Sequence, residues 1–340
     1  MPIHDAEGTL NRAIESVQNQ TMRNVEIIAV DAGSEDATAR MLDTAMERDI
    51  RVVAQHVKPC TREEALNIAL ERARGEYVMV MDAEGWVEGT YLQHMVDLAE
   101  EHGLDLVVGA LDVEAGGERN SFRLTASSED AEYLTQHEFR SHAWQYFLSG
   151  QLAPASGKLF LRPRIDQEGI SFDAEAGNDH SFTMAFLRDA ERVAFTGQVY
   201  RVMRGYDAGS QGGEAAAELF GGVEAAYDSM LDLLKYWGLA GDAASVEALA
   251  SRYLEMLAVC VEAAAAAPEA TGGGRELVGR MISGERARLA ADVASPRDTA
   301  AKALVGPIKS QNALMATMQA KLLGMLRRGV PATLTPDILL

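Results

Sequence analysis

Two short runs constrain this chain more than anything else in it. VEIIAVD (25 to 31) and GEYVMVMD (75 to 82) are each continuously apolar before they close on an aspartate. Continuous rather than alternating apolar runs of this length suit strands buried on both faces, which is the habit of parallel sheets covered by helices. Helical patterns surround both runs. Leu10, Ile14 and Val17 stand at helical spacing within 7–20, a second helix is expected over 35–47 with Ser34 as its N-cap, and a third over 61–74. Thr61 and Glu64 give that third helix a capping-box start. RVVAQH (51 to 56) and LDLVVGALDV (104 to 113) are further expected strands. The alternation predicts an α/β fold with a central, mostly parallel, Rossmann-like sheet flanked by helices and with ligands at the carboxyl ends of its strands.

Residues 118–210 are less regular. EYLTQHEFRSHAWQYFL reads as helix, GKLFLR as a short strand, NDHSFTMAFLRDA as helix, and RVAFTG and QVYRVMR as two strands. GYDAGSQGG (205 to 213) reads as a linker, after which alanine-rich helical stretches run over 214–237, 242–267, 275–293 and 298–328, with APEATGGG (267 to 274) between two of them. The expected organisation is an α/β domain over 1–210 and an all-α region over 211–340.

The formal net charge of −20 argues against non-specific nucleic-acid binding, which needs a basic surface. From residue 211 onward there are 12 Lys and Arg against 15 Asp and Glu, so nearly all of the excess acid lies in the first part. Two distant cysteines, Cys60 and Cys260, make no disulfide framework and fit a reducing compartment. No run of 18 apolar residues is present and the N-terminus lacks a signal-peptide pattern, so a cytoplasmic protein is expected.

The acids at the strand ends carry the chemistry. If the backbone stays extended past the second run, Asp82 and Glu84 project to one side and form a hard-oxygen pair suited to Mg²⁺ or Mn²⁺, with a diphosphate completing the shell. In VDAGSEDAT (30 to 38), Asp31 ends a strand, Gly33 and Ser34 form a turn, and Asp36 opens a helix that it caps. Asp31 would share the crevice of Asp82, where a carboxylate can accept a hydrogen bond from a base or ribose group. There is no G-x-G-x-x-G after this strand, so a dinucleotide fingerprint is excluded.

At this point the order of motifs resembles the family 2 glycosyltransferases of the GT-A fold. MPIHDAEGTLNRAIESVQNQT resembles the family's opening helix with its Pro-x-Tyr-Asn loop, and NVEIIAVDAGSEDAT its second strand and acidic turn. TREEALNIALERARGEYVMVMDAEGWV resembles the stretch leading into its D-x-D metal motif, and GISFDAEAGNDHSFTMAFL the segment carrying its acidic base. The resemblance covers roughly residues 1–210. It implies a nucleotide-sugar site in which Pro2, His4, Glu7 and Asp31 face the nucleoside, Arg62 reaches the base or diphosphate, and Asp82 and Glu84 serve the ribose and a Mn²⁺ or Mg²⁺ ion. Asp179 would deprotonate the acceptor hydroxyl, and direct displacement from a UDP-sugar would invert the anomeric centre. His180, beside it, is read as structural. The implied acceptor is a glycan or a lipid-linked molecule, as in cell-surface polysaccharide assembly.

The match departs from the pattern at chemically important places. Ala32 replaces the second acid of Asp-Asp-Gly-Ser, His4-Asp5 replaces Tyr-Asn, Glu84 and Gly85 replace the later acids of the metal motif, and Asn178-Asp179 replaces Glu-Asp. The family's strand before the Pro-x-Tyr-Asn loop has no counterpart after Met1. A sheet lacking it would carry unpaired backbone groups at about 1 to 3 kcal/mol each, so a longer natural start is expected. Residues 299–329 hold Lys302, Lys309, Lys321, Arg327 and Arg328 without an acid, and Leu314, Met318, Leu322 and Met325 form one apolar stripe. Such a helix can lie on an anionic membrane, or pack on a partner or on the acidic catalytic domain; a homo-oligomer is left open by the sequence. The competing function is a non-catalytic glycosyltransferase-like scaffold or binding subunit. A nucleotidyltransferase would need a phosphate loop rich in Gly and Lys near the N-terminus, and none is present.

Overall fold

The computed structural model describes residues 1–117, 120–174, 179–204, 213–267 and 274–326. The two expected linkers fall almost wholly outside these residues, as do Asn178, Arg327 and Arg328. The chain divides into two compact units. The first comprises residues 1–114, 125–141 and 151–203; the second comprises residues 115–124, 142–150 and 204–340.

The first unit opens on a parallel three-stranded sheet of β1 (Pro2–Ile3), β2 (Ile27–Asp31) and β3 (Val52–His56), in that order. Its helices are α1 (Leu10–Gln18), α2 (Thr38–Arg48) and α3 (Arg62–Arg72). Leu10, Ile14 and Val17 are buried on α1, as their spacing predicts. The register sets Asp31 opposite His56 at the carboxyl end of the sheet. Helix α2 starts later than its sequence suggests, with Ala37 and not Ser34 as N-cap, because the Ser34 amide is drawn to the Asp31 carboxylate at 3.0 Å. Gly33 in this turn has φ +76°, and a Cβ there would lie 2.8 Å from Pro59.

A seven-stranded sheet follows, formed by β4 (Tyr77–Met79), β5 (Gly85–Val87), β6 (Leu106–Gly117), β7 (Asn120–Ala126), β8 (Ala131–Tyr133), β9 (Lys158–Leu161) and β10 (Val193–Arg204). β4 and β6 pair with β9, and β5 and β8 with β10, all antiparallel. The parallel character is therefore carried by the first sheet. β4 itself is only half-buried, so its apolar run does not mark a strand covered on both faces; helices α4 (Tyr91–His102), α5 (Gln136–Ser149), α6 (Arg162–Glu168) and α7 (His180–Leu187) alternate with the strands in the chain. RVAFTGQVYRVMR is one strand, not two, since Gly197 stays in it with its amide held by Asp130. A cleft of about 640 Å³, lined by Ile27, Ile28, Leu66, Met79 and Leu92 among others, lies within this unit.

Besides the adjoining ends of β6 and β7 and the last part of α5, the second unit consists of helices α8 (Gly213–Tyr236), α9 (Ala243–Ala266), α10 (Gly274–Ser283), α11 (Glu285–Val293), α12 (Thr299–Lys309) and α13 (Ala313–Leu326). Helix α9 is its centre, with Leu254, Leu257, Cys260 and Val261 fully buried among its neighbours. The expected helices over 275–293 and 298–328 are each broken in two, the first at Gly284 and the second around Gln311, whose φ is +51°. Of the basic helix's stripe, Leu314, Met318 and Leu322 are exposed. Among the described residues, no helix is long and apolar enough to cross a membrane.

Candidate active site

The site is built outward from the start of α3. The Thr61 hydroxyl accepts the Glu64 amide at 3.2 Å and the Glu64 carboxylate accepts the Thr61 amide at 2.8 Å, so the predicted capping box is present and fixes the next residue, Arg62. Its guanidinium joins two acids far away in sequence. Nη2 and Nε donate to Asp82 Oδ1 at 2.7 and 3.3 Å, Nη1 donates to Asp179 Oδ2 at 3.1 Å, and Nη2 also donates to the Ser156 hydroxyl at 3.3 Å. Both carboxylates are buried, while about a third of the Arg62 side chain is exposed. Burial works against the guanidinium's charge, but Asp82 and Asp179 outweigh it, and its pKa is raised.

The other oxygen of Asp82 is held too. Oδ2 accepts the Ser156 hydroxyl at 2.8 Å and the Tyr200 hydroxyl at 3.0 Å, and the Tyr200 oxygen accepts the Asp82 amide at 2.8 Å. Tyr200 reaches this position through Gly85, where a Cβ would lie 2.1 Å from the Tyr200 hydroxyl. Beyond β4 the backbone does not stay extended. It turns through Ala83 and Glu84, and the Gly85 amide donates to the Asp82 carbonyl at 3.0 Å. The condition under which Asp82 and Glu84 would share one side is not met.

Asp179 is the N-cap residue of α7 but makes no side-chain cap bond, which leaves its carboxylate to Arg62. Lys158 is buried on β9 and donates to the Pro154 carbonyl; burial lowers its pKa to about 7, against the pull of Asp179. His180 is fully buried, in keeping with a structural role.

A second cluster lies at the end of the parallel sheet. Asp31 accepts the Ser34 amide on one oxygen and bonds His56 Nδ1 at 2.8 Å on the other, and His56 Nε2 meets Asp43 at 3.2 Å. The opening loop is stitched to this turn. His4 Nδ1 lies 3.2 Å from the Ala32 carbonyl, the Glu7 carboxylate accepts the Ala37 amide at 3.2 Å, and Asp36 accepts the amides of Glu7 and Thr38. His4 and Glu7 are thus exposed beside the turn, and Pro2 is buried in β1. Ser156, Tyr200, Lys158 and His56 have no sequence signal that marks them; only Gly85, a departure from the acidic pattern, hints that something large must approach.

The Asp31–His56 contact carries a pH dependence. Its bond to Asp31 is the largest effect on His56 and raises its pKa above 6.5. Burial alone would raise the Asp31 pKa, but bonds from Ser34 and His56 reverse this and leave it below 3.8. The contribution of His56 is then fully present below pH 6.5 and lost as pH rises through its folded pKa; that of Asp31 is lost as pH falls below 3.8. His56→Gln is expected to cost roughly 0.5 to 1 kcal/mol at pH 6, a value limited by the exposure of the ring, and close to nothing at pH 9. Urea melts of both proteins at the two pH values check this, and a difference that does not shrink with pH removes the charge from the explanation.

A divalent cation needs carboxylate oxygens that open toward it. Both oxygens of Asp82 are engaged by protein donors, and among the described residues no group of three or more His, Cys, Asp or Glu is placed to hold a metal. The acids present do not fit a cation as they stand.

Residues 1–160 match the family model described as glycosyl transferase family 2. An uncharacterized glycosyltransferase, EpsJ, of Bacillus subtilis is 26% identical over 204 residues, which is 57% of this chain and 56% of that protein, so the chain spans about half the length of this relative. An uncharacterized glycosyltransferase of Haemophilus influenzae is 29% identical over 58% of this chain and 78% of its own length. The crystal structure of TarS 1-349 from S. aureus superposes with a TM-score of 0.61 at 14% identity, covering 95% of this chain and 90% of that one, which shows the shared GT-A-type fold. Residues 1–160, just under half of the chain, thus match glycosyl transferase family 2, in agreement with the three sequence motifs that fall within them and with the α/β architecture.

Proposed function

We propose that this protein transfers a sugar from a UDP-sugar to a glycan or lipid-linked acceptor, with inversion and with Asp179 as the general base. The observation that carries the reading is the meeting of two acid motifs on one guanidinium: Asp82 stands 20 residues and Asp179 117 residues from Arg62, yet both bond it. A base for the acceptor and a group that holds the leaving diphosphate must share one site, on opposite faces of the anomeric carbon when transfer inverts, and this arrangement gathers an acid and a guanidinium for those two tasks. TarS, the protein of similar fold, has been crystallised with UDP and with UDP-GlcNAc, and a relative 29% identical over 59% of this chain is the succinoglycan biosynthesis protein ExoO of Rhizobium meliloti. These support a uridine nucleotide donor and a polysaccharide setting. The nucleoside would lie against Asp31 and the loop of Pro2, His4 and Glu7. Positive charge for the diphosphate has two candidate sources, Arg62 and a Mn²⁺ or Mg²⁺ ion at Asp82 and Glu84. Contact of residues 299–329 with an anionic membrane would suit a lipid-linked acceptor, and the exposed Leu314, Met318 and Leu322 beside Lys321 support it.

The competing reading, a non-catalytic scaffold, is favoured by the engagement of both Asp82 oxygens. Thermal melting with UDP separates the two. A ligand present at 100 times its dissociation constant adds about 2.7 kcal/mol to stability, which raises the melting temperature by several degrees. A rise with UDP, in EDTA or with Mn²⁺, is the expected result. No rise with any nucleoside diphosphate in either condition favours the scaffold.

A further inference from the structure

The cation expected at the acid pair and the residues that surround that pair disagree, and the disagreement has a direction. Two buried carboxylates facing one crevice repel each other and any incoming diphosphate, so a positive charge must stand between them. Here the Arg62 guanidinium stands there, held by Asp82 on one side and Asp179 on the other. We infer that Arg62, and not a divalent ion, is the positive charge that receives the donor diphosphate in this protein.

Three independent features agree. First, the turn at Ala83 and Glu84, closed by the Gly85 amide on the Asp82 carbonyl, removes the extended backbone that would bring the Glu84 and Asp82 carboxylates together. Second, the next position of the motif is Gly85, and the space an acidic side chain would need there is filled by Tyr200, which locks the remaining oxygen of Asp82. A metal ion at Asp82 would have to displace Arg62 from one oxygen, or Ser156 and Tyr200 from the other. Third, the guanidinium keeps capacity for an anion. It has five N–H donors; the bonds to Asp82, Asp179 and Ser156 use four, leaving one on Nη1, and about a third of the side chain is exposed. A planar fork held on two sides in this way meets a phosphate oxygen without having to be ordered first.

The inference rests on the nucleotide-sugar reading, and one titration series tests both. UDP binding is measured calorimetrically to the full chain in EDTA and again with excess Mn²⁺. The expected result is the same dissociation constant, within about twofold, in the two conditions. Arg62→Gln is expected to weaken UDP by about tenfold or more, as the loss of a charge-assisted bond requires, with no recovery on adding Mn²⁺. Arg62→Lys keeps a charge between the acids but not the fork, and should fall between the two. Mn²⁺ that tightens wild-type binding tenfold overturns the inference and leaves the nucleotide reading standing. So does an Arg62→Gln protein that folds and binds UDP like wild type. Absence of UDP binding to wild type in both conditions overturns the nucleotide reading and the inference with it. Should Arg62→Gln fail to fold, the wild-type comparison decides alone.

Discussion

Asp179→Asn is expected to lower sugar transfer by about 10²- to 10⁴-fold, the usual contribution of a positioned general base, while UDP binding changes by no more than a few-fold. Asparagine keeps the shape of the side chain but cannot take a proton from the acceptor hydroxyl. Little else is lost with the charge. Arg62 keeps both of its bonds to Asp82, and α7 loses no cap, because Asp179 does not cap it. The effect should therefore appear in kcat and not in the dissociation constant of UDP. Transfer assays at saturating donor, run beside calorimetry, make the distinction. Transfer near the wild-type rate removes Asp179 from the base role. Loss of UDP binding in step with transfer would make it a positioning residue that acts through Arg62.

Gly85→Ala should cost about 3 to 5 kcal/mol, more than overpacking usually does, because steric and polar losses coincide. The added methyl would lie 2.1 Å from the Tyr200 hydroxyl and 2.6 Å from Cζ. Tyr200 is fully buried and has no solvent to swing into. Moving its ring breaks its bonds to the Asp82 carboxylate and amide, at 3.0 and 2.8 Å, and leaves the buried Asp82 short of partners. Chemical denaturation gives the cost directly. A Tyr200→Ala change in the Gly85→Ala background should then cost far less than it does alone, since contacting residues couple strongly. A Gly85→Ala protein within 1 kcal/mol of wild type would mean that Tyr200 does not pack over Gly85.

Of the two units, the helical one shows how local signals succeed and stop. The stretches over 214–237 and 242–267 are helices within a residue or two of their expected ends, because alanine-rich composition and apolar spacing act over a few turns. The breaks at Gly284 and Gln311 escaped the same reasoning, since one glycine or one left-handed residue costs little enough for packing to override. In the first unit, VEIIAVD became β2, and Thr61 with Glu64 became the cap of α3, for equally local reasons. Strand direction was not legible. GEYVMVMD looks the same whether its partner runs parallel or antiparallel, because apolar composition carries no strand direction, and β4 itself is only half-buried.

The site divides along the same line. Asp31, Arg62, Asp82 and Asp179 were each recognisable from motif and position, and they stand at or just beyond the ends of their elements. What each touches is another matter. His56 against Asp31 follows from strand register, and Ser156 and Tyr200 against Asp82 follow from chain segments more than 70 residues away. Glu84 shows the limit most plainly. Its spacing from Asp82 predicts convergence on an extended strand, but the chain turns there, with the Gly85 amide on the Asp82 carbonyl, and the extended backbone that convergence needs is absent. The sequence by itself determined which elements form and which charged residues line their ends, because propensity, capping and burial patterns act within a few residues of themselves. Only the tertiary structure decided that the charge between the two acids is a guanidinium, because that depends on where three distant segments come to rest against one another.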